Sequence, residues 1–259
     1  MLTLDKLTVE HRVGPVSGRL AAGRLTLLVG PNGSGKSSLL LAAAGLVTAE
    51  GHVRLNGELL DTLDLAELAR RRAMLVQHSV LPAGLKGYEL LALGVQGEVS
   101  EAACEEMARL SAYLKLDTLY GRSLLALSGG EQQRLLIAKT LLQVSPALNP
   151  EAQLLLLDEP LAGLDWQHQL ATLRLLRHYA EQGLTVVASI HDINLAAQFG
   201  DDIWCLHKGQ LVASGGPEVL TPTLVAEVFE VKVRLLEQDG QRLLLPEMTG
   251  IGDSGIGTG

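Results

Sequence analysis

The sequence predicts an α/β fold in which helices alternate with the strands of a mostly parallel sheet. Uninterrupted apolar runs at residues 25–29, 154–157 and 185–190 indicate strands that are covered on both faces. Segments with helical periodicity separate these runs, as expected when helices form the crossovers between parallel strands. Ligands of such sheets bind at the carboxyl ends of the strands, so we expect a functional site at that edge.

An antiparallel element is predicted in the N-terminal part, beside the main sheet. Residues 2–9 carry apolar side chains in a broken alternation, which predicts an edge strand. Residues 52–55 and 58–60 flank the dipeptide Asn56-Gly57, the strongest two-residue signal for a hairpin. The chain therefore returns on itself here before it enters the parallel sheet.

A helical insertion is predicted at about residues 78–134. A helix at 63–72 leads into a short strand that ends at Gln77, after which no strand-like run follows. Residues 100–116 instead place Ala103, Met107, Leu110 and Leu114 at helical spacing. This part is expected to be a helical subdomain that interrupts the sheet.

The second half returns to alternating helices and strands. Helices are predicted at 127–142, 166–182 and 193–199, with strands at 203–206 and 211–214 on either side of a turn. Residues 1–246 are expected to form a single domain. Residues 247–259 are rich in glycine and poor in bulky side chains, so we expect a disordered tail.

Composition argues against several classes of protein. The 259 residues carry a formal net charge of −8, which disfavours nucleic acid as a partner. Two distant cysteines indicate neither a disulfide framework nor a zinc site, as in a reducing cytosol. We recognise neither a signal peptide nor an apolar run long enough to cross a membrane, so membrane association would need a partner.

Residues 30–38, written GPNGSGKSS, match the phosphate-binding pattern G-x-x-x-x-G-K-[ST] between a buried strand and a helix. Backbone N–H groups must turn inward to wrap a polyphosphate, which glycines permit. The lysine can reach the outer phosphates, and the hydroxyl that follows it can bind Mg²⁺. A glycine-rich turn without a ligand is the alternative. The residues of this predicted nucleotide-binding loop are Gly30, Pro31, Asn32, Gly33, Ser34, Gly35, Lys36, Ser37 and Ser38.

A pair of carboxylates, Asp158 and Glu159, follows the buried run LLLL, so both are expected at the edge where the phosphate-binding loop lies. Asp158 can hold Mg²⁺ through its hydration shell, and Glu159 can act as the general base for an attacking water. By itself such a pair could also be the ordinary start of a loop.

A second anion site is predicted at LSGGEQQ, residues 127–133. Ser128 and Glu131 have the spacing of a capping box, which alone would explain a well-capped helix. Capping does not require Gly129 and Gly130, and glycines weaken a helix. Their presence is explained if the backbone at these positions must approach another group closely. A hydroxyl, free N–H groups and a helix N-terminus together form a second grip for a phosphate.

With these features together, the sequence resembles the ATP-binding cassette (ABC) family over most of its length. The resemblance identifies GPNGSGKSS as the Walker A motif, LSGGEQQ as the signature and LLLLDEP as the Walker B motif. It also identifies Gln77 as the Q-loop residue, Asp165 as the D-loop residue and His191 as the switch histidine. These motifs occur in the order of the family. A P-loop NTPase with a RecA-like core is therefore implied.

The resemblance also implies roles for these residues. ATP is the nucleotide, and Ser37, Gln77 and Asp158 serve Mg²⁺. Glu159, His191 and Gln77 are catalytic, with His191 bonded to the γ-phosphate and Gln77 near the metal and the water. Without the resemblance, His191 would be an ordinary surface residue beside Asp192, which could cap helix 193–199.

Partners follow from the same resemblance. Two copies pack head to tail, so that Ser128, Gly129, Gly130, Glu131 and Asp165 of one copy complete the ATP site of the other. The homodimer is expected to serve two membrane permease subunits and a substrate-binding protein, on the cytoplasmic side of the bacterial inner membrane. Residues 78–97 would contact the permease, with an apolar centre formed by Val80, Leu81, Pro82 and Leu85.

One departure concerns the base. Family members commonly stack adenine on an aromatic residue before the first glycine loop, whereas this sequence has His11 and Arg12 there. Either side chain could replace the aromatic ring.

Within the family, the sequence resembles the ATPase subunits of bacterial vitamin B12 importers, in the segments GRSLLALSGGEQQR and NPEAQLLLLDEP. Import of iron chelates or haem, a soluble cassette ATPase of assembly or repair, and a nucleotide-binding module without hydrolysis remain alternatives.

Overall fold

Residues 1–77, 84–238 and 241–247 are described by the computed structural model. The strands are, in chain order, β1 (Leu2–Val9), β2 (Val13–Leu20), β3 (Arg24–Val29), β4 (Glu50–Leu55), β5 (Glu58–Leu59), β6 (Arg72–Leu75), β7 (Leu154–Leu157), β8 (Thr185–Ser189), β9 (Asp202–His207), β10 (Gln210–Gly215), β11 (Val233–Gln238) and β12 (Gln241–Pro246). The helices are α1 (Lys36–Ala43), α2 (Leu65–Arg71), α3 (Gly87–Ala92), α4 (Glu101–Leu114), α5 (Gly129–Gln143), α6 (Trp166–Glu181), α7 (Ile193–Phe199) and α8 (Pro222–Phe229).

The main sheet has the strand order β10-β9-β3-β8-β7-β6 and is parallel except for β10, which forms a hairpin with β9. The apolar runs predicted to be buried strands are β3, β7 and β8, and every residue of β7 and β8 is buried. In register, Leu28 pairs with Ser189 and Leu157 with Ala188. The carboxyl ends of these strands therefore meet at one edge, and the predicted α/β fold is confirmed.

The antiparallel element is a four-stranded sheet with the order β2-β1-β4-β5. The prediction that residues 2–9 form an edge strand was wrong, because β1 pairs with β2 on one side and β4 on the other. The sequence of β2 conceals this strand, since it contains glycine and proline, which are depleted in strands. A Cβ on its Gly18 would lie 2.7 Å from the ring of Trp204, so a distant residue requires that glycine.

The hairpin predicted at Asn56-Gly57 is confirmed between β4 and β5. Both residues have positive φ, 49° and 90°, as a type I′ turn requires.

A helical insertion follows β6, as predicted. Its helices α3 and α4 pack on α5, and they share one hydrophobic cluster with α6 and the main sheet. Leu85 is partly buried against this cluster, whereas Val80, Leu81 and Pro82 lie outside the described residues. The predicted contact with a permease stays a prediction, as does the division of the chain into a single domain of residues 1–246.

A buried polar cluster fastens the insertion to the core. Glu106 of α4 accepts hydrogen bonds from Arg109 Nε and Nη2 (2.7 Å each), Tyr179 Oη (2.7 Å) and Ser145 Oγ (2.9 Å). Tyr179 belongs to α6, so one carboxylate connects the insertion to a core helix.

The C-terminal part contains α8 and the hairpin of β11 and β12, which packs on α7. The side chain of Asn194 accepts from the N–H of Leu244 (2.8 Å) and donates to its carbonyl oxygen (3.2 Å). Apart from Glu247, the tail predicted at residues 247–259 lies outside the described residues. None of the helices in the described part of the chain is both long and apolar enough to span a bilayer.

Candidate functional site

The predicted nucleotide-binding loop joins β3 to α1, with Gly35 immediately before the first helical residue. Gly30, Gly33 and Gly35 have φ angles of 151°, 77° and 102°, which side chains rarely permit. A Cβ on Gly30 would lie 2.2 Å from the carbonyl oxygen of Leu206, so the close approach of that backbone also requires glycine at this position. The glycines therefore have the conformational role predicted for them.

Lys36 folds back over this loop. Its Nζ donates to the carbonyl oxygens of Gly30 (2.8 Å) and Pro31 (3.2 Å), and the residue is only 5% exposed. Burial lowers the pKa of the Lys36 ammonium, while the charges of Glu159 and Asp158 act in the opposite direction. The cation thus lies in the loop where an anionic ligand would be held.

A cavity of about 490 Å³ opens over this loop. It brings together the loop at the end of β3 and residues that shortly follow β6, β7 and β8. It also includes the turn between β1 and β2, which supplies the two residues predicted near the base. The lining residues are His11, Arg12, Asn32, Gly33, Ser34, Gly35, Lys36, Ser37, Ser38, Gln77, Glu159 and His191.

Glu159 and His191, both predicted to be catalytic, contact each other in this cavity. The His191 Nε2 lies 2.8 Å from the Glu159 Oε1, and the side chains are 50% and 15% exposed, respectively, for His191 and Glu159. The carboxylate is therefore held at the cavity wall while the imidazole faces the opening. Asp192, as predicted, caps α7, since its carboxylate accepts from the N–H groups of Asn194 and Leu195.

Asp158, the residue before Glu159, is 3% exposed and does not line the cavity. Its Oδ1 accepts a hydrogen bond from Ser189 Oγ (2.7 Å), which in turn accepts from the N–H of Glu159 (2.8 Å). Ser189 was missed at the level of sequence. The only signal was a hydroxyl at the end of an apolar strand, which does not identify its partner.

The residues predicted to serve Mg²⁺ suit a hard cation by their chemistry. The Ser37 hydroxyl, the Gln77 amide oxygen and the second oxygen of Asp158 have no hydrogen-bond partner among the described residues, and oxygen atoms are the ligands Mg²⁺ prefers. Ser34 Oγ is also buried without a partner in the described part of the chain. Unpaired polar atoms around Lys36 fit a polar ligand with its metal.

The second predicted anion grip lies elsewhere, since Ser128, Gly129, Gly130 and Glu131 do not line the cavity. The capping box is confirmed: Ser128 Oγ accepts from the N–H of Glu131 (3.3 Å), and Glu131 accepts from the N–H of Ser128 (2.7 Å). The hydrogen bond from the Ser128 N–H lowers the pKa of the Glu131 carboxyl, and the Ser128 hydroxyl and Arg122 add to the effect. The Glu131 carboxylate is thus engaged within its own chain.

Asp165 also lies outside the cavity lining. It caps α6, accepting from the N–H of His168 (2.9 Å), and its carboxylate lies 2.8 Å from the His168 Nδ1. Both contacts lower the pKa of Asp165, the backbone hydrogen bond more than the ring. The chain therefore brings together the predicted Walker A, Q-loop, Walker B and switch residues, but not the signature and D-loop residues.

The sequence matches the family described as ABC transporter over residues 13–162. The vitamin B12 import ATP-binding protein BtuD of Salmonella heidelberg is 38% identical over 246 residues, which cover 95% of this chain and 98% of that protein. The protein of the same name from Citrobacter koseri is 39% identical over the same length.

A solved structure of the ATP binding subunit of an ABC transporter is similar in fold. Its TM-score is 0.72 and its identity 25%, over 90% of this chain and 94% of that one. Both the matched family and the near-full-length relatives lead to the same assignment. The chain belongs to the ABC transporter family.

Proposed function

We propose that the chain is the ATP-hydrolysing subunit of an ABC importer and that the importer carries vitamin B12. The observation that carries the proposed ATP hydrolysis is the contact between Glu159 and His191, which line the same cavity as Lys36 and the glycine-rich loop before it. The similarity to vitamin B12 import ATP-binding proteins over nearly the full length supports the cargo.

The residues of the cavity have complementary roles in this proposal. The loop amides and Lys36 bind the triphosphate, and the low exposure of Lys36 strengthens its attraction for the anion. Ser37 and Gln77 would hold Mg²⁺, with Asp158 acting through the hydration shell of the ion, and the bound ion would neutralise charge at the phosphates. Glu159 accepts a proton from the attacking water at its carboxylate. His191, which contacts that carboxylate, binds the γ-phosphate and aligns the base with it.

The signature residues support a homodimer. Ser128 and the first turn of α5 form an anion grip outside the chain's own cavity, so within one chain they have no phosphate to hold. In a head-to-tail dimer the grip of each copy closes the cavity of the other, with Asp165 at the same interface. ATP then joins the two copies and is also the substrate.

The remaining partners are two permease subunits and a substrate-binding protein. The chain is peripheral to the membrane, on its cytoplasmic side, and attaches through the permeases. Residues 78–97 provide the contact. Hydrolysis at the dimer interface releases the two copies from each other and resets the permeases.

Affinity purification from native membranes tests this proposal. We expect permease subunits in the recovered complex and ATPase activity that increases with a binding protein loaded with vitamin B12. Stimulation by an iron siderophore or haem instead would contradict vitamin B12 as the cargo but would still support a transport function. A soluble homodimer without a membrane subunit would contradict transport and favour a cassette ATPase of assembly or repair.

A further inference from the structure

Gln133 lies on the helix of the second anion grip, and its side chain reaches the backbone of Glu159. Its Nε2 donates to the carbonyl oxygens of Pro160 (3.1 Å) and Glu159 (3.4 Å). The neighbouring Gln132 makes a similar pair of hydrogen bonds to the carbonyl oxygens of Leu124 (2.9 Å) and Leu127 (3.1 Å). Two consecutive glutamines therefore connect the first turns of α5 to two different loops.

The backbone that Gln133 holds is strained. Glu159 has a φ of 50°, in the left-handed region, which a glutamate adopts only at a cost. Such a conformation persists where surrounding contacts over-determine it. The N–H of Glu159 donates to Ser189 Oγ at 2.8 Å, and its carbonyl oxygen accepts from the N–H of Ala162 at 3.1 Å. Ser189 thus fixes one side of the strained residue, and Gln133 helps to fix the other.

A second contact joins the same helix to the same loop. A Cβ on Gly130 would lie 2.7 Å from the carbonyl oxygen of Gly163, so the helix and the loop approach at a distance that excludes a side chain. Gly130 is one of the predicted phosphate-binding residues of the grip. A displacement of the N-terminal turn of α5 therefore moves the Gln133 amide and, with it, the peptide of Glu159.

We propose that Gln133 is a positioning residue for Glu159 and links the anion-binding end of α5 to the general base of the same chain. This inference rests on the proposed function, in which Ser128 grips the nucleotide of the second copy while Glu159 serves the chain's own nucleotide. Gln133 then connects the two ATP sites of the dimer through one chain. Phosphate held at the end of α5 aligns the Glu159 that acts at the other site.

Substitution Gln133→Met in the assembled transporter tests the positioning role, because it keeps the length of the side chain and removes the donor. The kcat for ATP hydrolysis is expected to fall about tenfold or more, while the KM for ATP changes by less than about twofold. The effect should appear in kcat because Gln133 orients the base without lining the cavity. Thr140→Val is the control, because it removes a hydrogen bond within the same helix, from Thr140 Oγ1 to the Leu136 carbonyl oxygen (2.8 Å), away from the anion grip. Its kcat is expected to stay within about twofold of the wild type.

Gln133→Glu is a second variant for the case in which the methionine variant does not fold, since its ionised side chain cannot donate. If the wild-type complex hydrolyses ATP and the Gln133 variants have the same kcat as the wild type, the inference is overturned and the proposed function stays intact. Equal changes in kcat and KM, or the same loss in Thr140→Val, would also overturn it, because both indicate a general loosening of α5. A wild-type complex without ATPase activity would refute the proposed function, and the inference with it.

A double-mutant cycle tests the link to the anion grip. If Gln133 transmits the effect of phosphate binding at Ser128, the losses in kcat from Ser128→Ala and Gln133→Met will not add. Additive losses would show that the two residues act independently and would remove the link.

Discussion

The His191 Nε2 lies 2.8 Å from the Glu159 Oε1 at the wall of the nucleotide cavity. Each side chain follows a different strand of the main sheet, β8 and β7, so the contact depends on the parallel register of Leu157 with Ala188. The imidazole can therefore hold the carboxylate in place while its exposed face remains open to a ligand. A substitution can therefore remove the charge of the Glu159 side chain while His191 still holds that side chain in place.

The substitution Glu159→Gln should remove the base and keep the position. The amide oxygen can still accept a hydrogen bond from His191, but it cannot take a proton from water. We expect ATP hydrolysis to fall at least about 100-fold, with an ATP-bound dimer that accumulates. Phosphate release and gel filtration in the presence of ATP measure the two effects. Hydrolysis near the wild-type rate would contradict the role of Glu159.

Lys36→Ala should weaken ATP binding. The substitution removes a buried ammonium from the loop, and charge-assisted hydrogen bonds of this kind account for about 10- to 100-fold in affinity. Calorimetric titration with a non-hydrolysable ATP analogue measures the change. Lys115→Ala is the control, because Lys115 bonds Gln167 at the surface, away from the cavity. An unchanged dissociation constant for Lys36→Ala would refute the predicted cradle.

A feature of this structure can be predicted from the sequence when the residues that cause it lie close together in the chain. The apolar runs of β7 and β8 and the glycines of residues 30–38 satisfy requirements within a few residues, so both are predictable. The strand β2 is not, because Gly18 is required by the ring of Trp204, far away in the sequence. In the site, the contacts of Ser189 with Asp158 and of Gln133 with Pro160 also join distant segments. Their residue types are visible in the sequence, but their partners are set by the packing of the strands and helices.

Gly30→Ala should destabilise the fold more than an alanine at another glycine with positive φ. Gly23 is the matched comparison, since its φ is 78° and a Cβ on it would have no neighbouring atom within 4 Å. Gly23→Ala should cost only the conformational penalty, about 1 kcal/mol. Gly30→Ala should cost about 3 kcal/mol or more, because its Cβ would overlap the carbonyl oxygen of Leu206. Urea denaturation measures both, and equal losses would contradict the close backbone approach.

Glu106→Gln should lower stability in a manner that depends on pH. Burial alone would raise the pKa of Glu106, but hydrogen bonds from Arg109, Tyr179 and Ser145 outweigh it, and the folded pKa is lowered. A lowered folded pKa means that the carboxylate stabilises the fold above the unfolded value, about 4.5, and that this contribution is lost as pH falls below it.

The Glu106→Gln variant should therefore be less stable than the wild type by about 2 kcal/mol near neutral pH, because the Arg109 guanidinium loses its charged partner. The difference should remain constant down to about pH 5 and shrink at lower pH, where the wild-type carboxylate also becomes protonated. Urea denaturation from about pH 7 to about pH 3 measures it. Tyr179→Phe is the control, since it removes one donor and retains the Glu106 charge, so its stability loss should be smaller. A difference between wild type and Glu106→Gln that does not change with pH would show that shape, and not charge, holds the insertion to the core.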